Sequence, residues 1–233
     1  MSKGPILHPW DVSVREAIAL QQEVASAVER HDRFGEVRTI AGVDVAYGRR
    51  GRNANARAAA VLMDAATLEV LERSAIEMAV TFPYVPGLLT FREAPPAIAA
   101  IRALRRRPDL LLCDGQGLAH PRRCGFASHL ALALDLPSVG AAKSRLTGTH
   151  DEAGAERGTW TPLLDNGEVI GACLRTRAGC KPIYVSIGHR VTLPTAIRFV
   201  TQCTTRYRLP EPTRLADQLS KARGDPAAPV QAL

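Results

Sequence analysis

The stretch that decides the fold runs from residue 109 to residue 117 and reads Asp-Leu-Leu-Leu-Cys-Asp-Gly-Gln-Gly. Leu110 to Cys113 form a short apolar run without alternation, which is typical of a strand buried on both faces. Such a strand lies in the centre of a sheet and runs parallel to a neighbour. Asp114 and a glycine-rich loop follow at its carboxyl end, where α/β sheets bind ligands.

The chain that follows this strand alternates between helix and strand patterns. We expect a helix around residues 127–134 and a strand at Ser138–Ala141, which complete a β-loop-α-β unit. Asn166-Gly167 is a strong hairpin signal between two further strands. The later elements are predicted to be a strand at Ile183–Ile187 and helices at Thr192–Thr204 and Thr213–Ala222.

The chain that precedes the strand predicts an antiparallel meander. Its three strands are expected at Thr39–Tyr47, Arg57–Met63 and Leu68–Val80, and the turns between them are short. Earlier still, Ser13 and Glu16 have capping-box spacing, so a helix should begin there and end near Phe34-Gly35.

A further helix should run through Ile98, Ile101 and Leu104, ahead of the central strand. Pro95 and Pro96 are compatible with this helix only if they lie in its first turn, because proline lacks the N–H group that a helix interior needs.

Together these elements predict an α/β fold: an antiparallel meander followed by parallel strands, in one mixed sheet flanked by helices. That order is the pattern of the RNase H-like architecture. We expect a flexible N-terminal arm over residues 1–12, one domain over residues 13–222 and a frayed C-terminal tail over residues 223–233.

Composition restricts the kinds of function. The formal net charge of +7 and the isoelectric point of about 9.5 favour a polyanionic partner such as nucleic acid, although basic proteins without such a partner are common. The five cysteines include no C-x-x-C pair, which argues against a disulfide framework and a structural zinc site. No apolar stretch suits a signal or a membrane span, so we expect a cytoplasmic protein. We also expect a monomer.

Three acidic residues occupy positions that suggest a metal site. Asp44 interrupts an apolar strand, Asp114 ends the central strand, and Glu93 follows a proline-rich loop. A buried carboxylate needs a cation or a donor, and Mg²⁺ prefers such oxygen ligands. Taken alone, Asp44 is better explained as a structural cap or a hydrogen-bonded core residue, and it is the three acidic residues together that favour a metal site.

Basic residues near the same end of the sheet could hold phosphates. Lys143 directly follows a short strand, and His120-Pro121-Arg122-Arg123 follows the Asp114 loop. Arg105–Arg107 instead resemble the solvated end of a helix. Cys124, His150 and His189 are interpreted as structural.

Several of these stretches together resemble one family, endonuclease V, the deoxyinosine 3′ endonucleases. They occur in the family order across most of residues 13–222, and the proline-tyrosine loop followed by Phe-Arg-Glu is highly specific. The stretches are residues 41–45 (AGVDV), 83–93 (PYVPGLLTFRE), 114–117 (DGQG), 120–123 (HPRR), 139–143 (VGAAK) and 208–214 (RLPEPTR).

The resemblance implies an RNase H-like fold and cleavage of the second phosphodiester 3′ to inosine. It implies catalytic carboxylates Asp44, Glu93 and Asp114 around Mg²⁺, with Mn²⁺ as the alternative ion, and Asp217 as a further neighbour of the metal. Lys143 would contact the reacting phosphate and His120 would assist. Pro83, Tyr84, Val85 and Pro86 match the strand-separating wedge. The hypoxanthine pocket would involve Gly87, Leu89, Gly115, Gly117, Phe126, Gly140 and Leu146.

Two departures from bacterial relatives concern this pocket. Gln116 stands where histidine or asparagine is frequent, and Phe126 is bulkier than the expected aliphatic residue. Tyr84 has a competing interpretation as a turn aromatic packed on the core.

The alternatives to a DNA-directed nuclease are an inosine-directed ribonuclease, a non-catalytic nucleic-acid-binding module and a metal phosphoesterase for a small molecule. A carboxylate cluster argues against a module that only binds phosphates, and the wedge loop and positive charge argue against a small-molecule enzyme.

Overall fold

The architecture is that of a computed structural model, which describes residue 5 and residues 8–47 and 55–222. Within this part, five helices flank one eight-stranded sheet. The helices are α1 (Val14–Ala25), α2 (Leu89–Arg102), α3 (Phe126–Leu134), α4 (Leu193–Gln202) and α5 (Glu211–Lys221). The strands are β1 (Thr39–Tyr47), β2 (Asn55–Asp64), β3 (Val70–Ala79), β4 (Leu110–Cys113), β5 (Ser138–Ala142), β6 (Trp160–Asp165), β7 (Glu168–Leu174) and β8 (Ile183–His189).

The sheet confirms the mixed RNase H-like arrangement. Its strand order is β3-β2-β1-β4-β5-β8-β7-β6. β1, β2 and β3 form the antiparallel meander, while β1, β4 and β5 run parallel. β8, β7 and β6 continue the sheet as a second antiparallel set. All residues of β4 are buried, as expected of a central strand with helices on both faces.

The register of β1 and β4 places two carboxylates side by side. Val43 pairs with Cys113 in the parallel ladder, so Asp44 and Asp114 both come next along neighbouring strands. Because parallel strands end at the same edge of a sheet, the two side chains reach one region. The predicted convergence of these residues follows directly from this register.

The predicted position of Pro95 and Pro96 in a first turn was wrong, because α2 begins at Leu89 and both prolines lie further inside it. Each proline lacks the N–H that would bond the carbonyl four residues earlier. The buried face of the helix compensates for this loss, since Phe91 and Ile101 pack into the core. No side chain caps the start of α2, so the sequence contains no signal for it.

The first helix is shorter than expected. The predicted capping box is confirmed. The backbone N–H of Glu16 donates to the Ser13 hydroxyl, and the backbone N–H of Ser13 donates to the Glu16 carboxylate. However, α1 ends at Ala25 and not near Phe34-Gly35. The chain beyond it instead supports other elements: the Asp32 carboxylate accepts hydrogen bonds from the backbone of Thr192, the N-cap of α4, and from the Thr195 hydroxyl.

The helix α5 crosses the sheet on top of β1 and β2. Gly42 makes this close approach possible, because a Cβ atom there would lie 2.0 Å from the carbonyl oxygen of Pro212. Ala216 and Leu219 pack against Ala59, Val61 and Met63 of β2. On the same helix, the Ser220 hydroxyl donates a hydrogen bond to Asp44 of β1.

Part of the predicted N-terminal arm packs against the domain. The ring of Trp10 contacts Phe91 and His129, and the two Nε2 atoms of His8 and His129 are 2.6 Å apart. Residues 1–4, 6 and 7 of the predicted arm and the predicted tail at residues 223–233 lie outside the described residues. None of the helices described is both long and apolar enough to cross a bilayer.

Candidate active site

Three aspartates from separate elements meet at one edge of the sheet. Asp44 lies in β1, Asp114 follows β4, and Asp217 lies in α5. One carboxylate oxygen from each lies within 4.8 Å of the other two. These are oxygen ligands of the kind that Mg²⁺ and Mn²⁺ accept, so the residues fit a hard divalent cation.

The electrostatics of this carboxylate cluster also favour a cation. Burial raises the pKa of Asp44, and the nearby carboxylates of Asp114 and Asp217 raise it further, whereas a hydrogen bond from Ser220 opposes the shift. The Ser220 hydroxyl donates to Asp44 Oδ2 over 2.6 Å. A cation would relieve the repulsion among the three carboxylates.

Lys143 enters the carboxylate cluster from the end of β5. Its Nζ lies 2.6 Å from Asp114 Oδ2 and 3.1 Å from Asp217 Oδ1. Burial alone would lower the pKa of Lys143, but its hydrogen bonds to Asp114 and Asp217 raise it. The side chain is therefore a cation at neutral pH.

Glu93, on α2, lies close enough to Asp44 and Asp114 for their charges to act on it. The Tyr47 hydroxyl donates a hydrogen bond to its Oε1 over 3.2 Å. Burial raises the pKa of Glu93 to about 8, and the charges of Asp44 and Asp114 raise it in the same sense. Glu93 thus faces the aspartates, but Asp217 takes the third position in the group of closely spaced carboxylates.

A cavity of about 370 Å³ opens beside the carboxylate cluster, within the size range of small-molecule sites. Asp114 and Lys143 form its boundary with the cluster. Other lining residues predicted from the sequence are Tyr84, Val85, Pro86, Gly87, Leu89, Gly115, His120, Phe126 and Leu146. Phe126 is buried, and its side chain lies against Gly115 in the cavity wall.

The loop that precedes α2 is anchored at one end and exposed at the other. Gly87 has a φ angle of +78°, a backbone conformation that favours glycine. Its carbonyl oxygen accepts hydrogen bonds from Arg122 Nη2 at 2.6 Å and His120 Nε2 at 3.0 Å. Tyr84 is 72% exposed, which excludes the interpretation as a core aromatic.

His120 uses both ring nitrogens within the protein. Nε2 donates to Gly87 and Nδ1 accepts the backbone N–H of Arg122, which fixes the tautomer. Burial and the neighbouring Arg122 lower the pKa of His120 to about 4. At neutral pH His120 is therefore uncharged, and its hydrogen bond to Gly87 connects the cavity wall to the loop.

Comparison with known proteins decides the family. The sequence pattern of the family described as Endonuclease V matches residues 22–218. The chain belongs to the endonuclease V family. It is 56% identical to the endonuclease V of Roseiflexus sp. (strain RS-1) over 212 residues, which cover 91% of this chain and 94% of the relative. Endonuclease V is a deoxyinosine 3′ endonuclease, so the chain is an enzyme of the nuclease class.

Solved structures of endonuclease V have the same architecture. The crystal structure from Streptomyces avermitilis superposes with a TM-score of 0.86 at 44% identity, over 93% of this chain and 95% of that one. The Ciona intestinalis enzyme superposes with a TM-score of 0.78 at 26% identity, over 89% and 96% of the two chains. That structure is a complex with a 24mer DNA containing an inosine followed by a ribo-adenosine. The RNase H-like fold predicted from the endonuclease V resemblance is thus confirmed.

Three residues predicted for the endonuclease V substrate site lie outside the described cavity lining. A Cβ on Gly117 would lie 2.0 Å from the Ile187 carbonyl oxygen, and one on Gly140 would lie 2.6 Å from the Gly115 carbonyl oxygen. Both glycines therefore allow close backbone packing beneath the cavity. Pro83 precedes Tyr84 in the loop but is likewise not part of the wall that the structure describes.

Sequence reasoning missed Ser220, which bonds to Asp44 across 176 positions of the chain. The only available signal was its helical spacing of three residues from Asp217, which puts both on one face of α5. Asp217 itself was expected only as a neighbour, and the structure brings it into the carboxylate cluster.

Proposed function

We propose that this chain is a Mg²⁺-dependent endonuclease of DNA repair that recognises a deaminated purine, inosine or hypoxanthine, in DNA. It cleaves the second phosphodiester bond 3′ to that base. The observation that carries this proposal is the shared boundary between two sites. Asp114 belongs to the carboxylate cluster, Lys143 contacts it, and both residues also line the cavity. A base in the cavity therefore leaves its backbone close to the carboxylates.

The divalent ion would be held by Asp44, Asp114 and Asp217, with Glu93 facing them from α2. When bound, Mg²⁺ supplies charge neutralisation and orientation of water at the reacting phosphate, and Mn²⁺ has the same ligand preference. Ser220 orients Asp44 by its hydrogen bond, which limits the carboxylate to one direction.

Lys143 is the residue placed to hold the phosphate. Its side chain is 41% exposed and borders the cavity, so a phosphate oxygen can reach the ammonium group from the solvent side. The net charge of +7 attracts the rest of the strand without regard to sequence.

The exposed loop provides the means to remove a base from the duplex. Tyr84 can stack where the extruded base was, while Val85, Pro86 and the anchored Gly87 hold its backbone. A mispaired base costs less free energy to extrude than a paired one, so extrusion by this loop favours damaged sites. The inosine-containing DNA bound by the Ciona intestinalis enzyme supports DNA as the partner.

The test is a cleavage assay with matched oligonucleotides. Inosine duplex, plain duplex and inosine RNA are incubated with Mg²⁺, with Mn²⁺ or with EDTA, and the products are sized at single-nucleotide resolution. The proposal expects metal-dependent cutting of inosine DNA one nucleotide beyond the base on its 3′ side. Equal cutting of plain duplex, cutting in EDTA or stronger cutting of RNA would contradict it, and binding without cutting would identify a non-catalytic module.

A further inference from the structure

The ammonium group of Lys143 contacts two of the three carboxylates that would hold the divalent ion. It contacts the carboxylates of both Asp114 and Asp217, which are only 14% and 23% exposed. The side chain of Lys143 reaches them from more open surroundings. Its backbone is fixed independently, since Arg208 Nη2 donates to the Lys143 carbonyl oxygen over 2.8 Å. The side chain can therefore turn without moving β5.

We propose that Lys143 is a built-in competitor of the divalent ion, and that metal binding and phosphate binding assist each other through this one side chain. This inference rests on the proposed function. In the metal-free protein, Lys143 offsets part of the negative charge of Asp114 and Asp217. An ion that takes the oxygens of Asp114 must first displace the ammonium group, which then turns towards the cavity.

The coupling follows from linkage. A phosphate at the mouth of the cavity draws Lys143 away from Asp114 and so removes the cation with which the metal competes. By reciprocity, a metal that releases Lys143 raises the affinity for phosphate by the same factor. The free enzyme therefore binds the metal ion weakly. Its affinity for the metal rises when a nucleic-acid backbone is bound.

The chain offers a matched control in Lys221. Its Nζ lies 2.7 Å from both carboxylate oxygens of Asp217, so it places the same charge against only one of the three carboxylates. Lys221 is 61% exposed on α5, and the structure describes no contact between it and Asp114. A general effect of positive charge would make the two lysines equivalent, whereas competition for Asp114 involves Lys143 alone.

The experiment measures Mn²⁺ affinity in the absence of nucleic acid, by calorimetry or by the paramagnetic resonance of free Mn²⁺. Lys143→Met should bind Mn²⁺ at least about tenfold more tightly than wild type, because a competing cation is removed. Lys221→Met should change the affinity less than about threefold, and Lys143→Arg, which keeps a cation, should remain near wild type. Unchanged or weaker binding by Lys143→Met, or equal gains in both Met variants, would overturn the proposal.

The melting temperature provides a second measurement, which also shows whether the variant is folded. Without metal, Lys143→Met should melt earlier than wild type, since its carboxylates lose their counter-ion, and added Mn²⁺ should raise its melting temperature by more. Lys143→Gln provides the same test if the Met variant does not fold. Cleavage of inosine DNA by the wild type is measured separately. If the wild type cuts inosine DNA but the variants do not differ in Mn²⁺ affinity, only the competition by Lys143 is refuted. If the variants differ in Mn²⁺ affinity but the wild type does not cut inosine DNA, only the proposed function is refuted.

Discussion

Gly42 of β1 and Pro212 of α5 are in direct backbone contact, and this contact sets the position of α5 over the sheet. A Cβ atom on Gly42 would lie 2.0 Å from the Pro212 carbonyl oxygen and 2.1 Å from its carbonyl carbon. Asp217 and Ser220 lie further along the same helix and reach Asp44 from there. The geometry of the carboxylate cluster thus depends on the absence of a side chain at Gly42.

Gly42→Ala should therefore displace α5 and impair both stability and metal binding. Overpacking of this kind costs typically about 1–3 kcal/mol, which denaturant unfolding would measure. Mn²⁺ affinity should fall as well, because Asp217 moves away from Asp44. Gly35→Ala is the control, since a Cβ there meets nothing within 4 Å. Wild-type stability of Gly42→Ala would show that α5 is not held by this contact.

Asp44→Asn should abolish cutting of inosine DNA without loss of stability in metal-free buffer. Burial raises the pKa of Asp44, so the folded state binds this proton more tightly than the unfolded state. The ionised group consequently destabilises the fold at neutral pH, and the amide removes that charge while still accepting the Ser220 hydrogen bond. The melting temperature at pH 7 should hold or rise. A clear fall, or turnover near wild type, would argue against the assignment of Asp44.

Tyr84→Ala should weaken binding to inosine DNA with little effect on stability. Stacking of a base on an aromatic ring contributes roughly 1–3 kcal/mol, so affinity should fall by about one to two powers of ten. The ring is 72% exposed, and its removal leaves the core intact. Trp160→Ala serves as the control, because Trp160 is 44% exposed and does not line the cavity described. Equal affinity losses in both variants would contradict a wedge role.

The buried histidines should make the fold sensitive to mild acid. Burial lowers the pKa of His129 to about 3 and those of His120 and His189 to about 4. Between these values and the ordinary pKa of about 6.5, the unfolded state binds more protons, so the free energy of unfolding falls as the pH falls. Each neutral histidine contributes up to about 1.4 kcal/mol per pH unit.

His129→Gln isolates one of these contributions. Denaturant unfolding between about pH 6 and pH 4.5 should show a pH slope that is smaller than wild type by about 1.4 kcal/mol per unit. Glu93 titrates in the opposite sense, because its pKa is raised, but it is common to both proteins and cancels in the difference. Identical slopes would mean that His129 is protonated in the folded state.

The sequence by itself determined the elements whose signals are local. The apolar run of β4, the capping box of α1 and the Asn166-Gly167 hairpin were all predicted, and both hairpin residues have the positive φ angles that this turn requires. The sequence also singled out Asp44 and Asp114 as candidates, because Asp44 interrupts an apolar strand and Asp114 ends the central one.

Only the tertiary structure decided how distant elements meet. The start of α2 has no capping signal, and its two internal prolines are tolerated because the helix buries Phe91 and Ile101. Asp217 and Ser220 reach Asp44 because α5 crosses β1 at Gly42, a contact between segments far apart in the chain. A local sequence pattern specifies whether a segment is a helix or a strand. The place where two elements cross depends on how both of their surfaces pack, and the sequence of one segment alone does not contain that information.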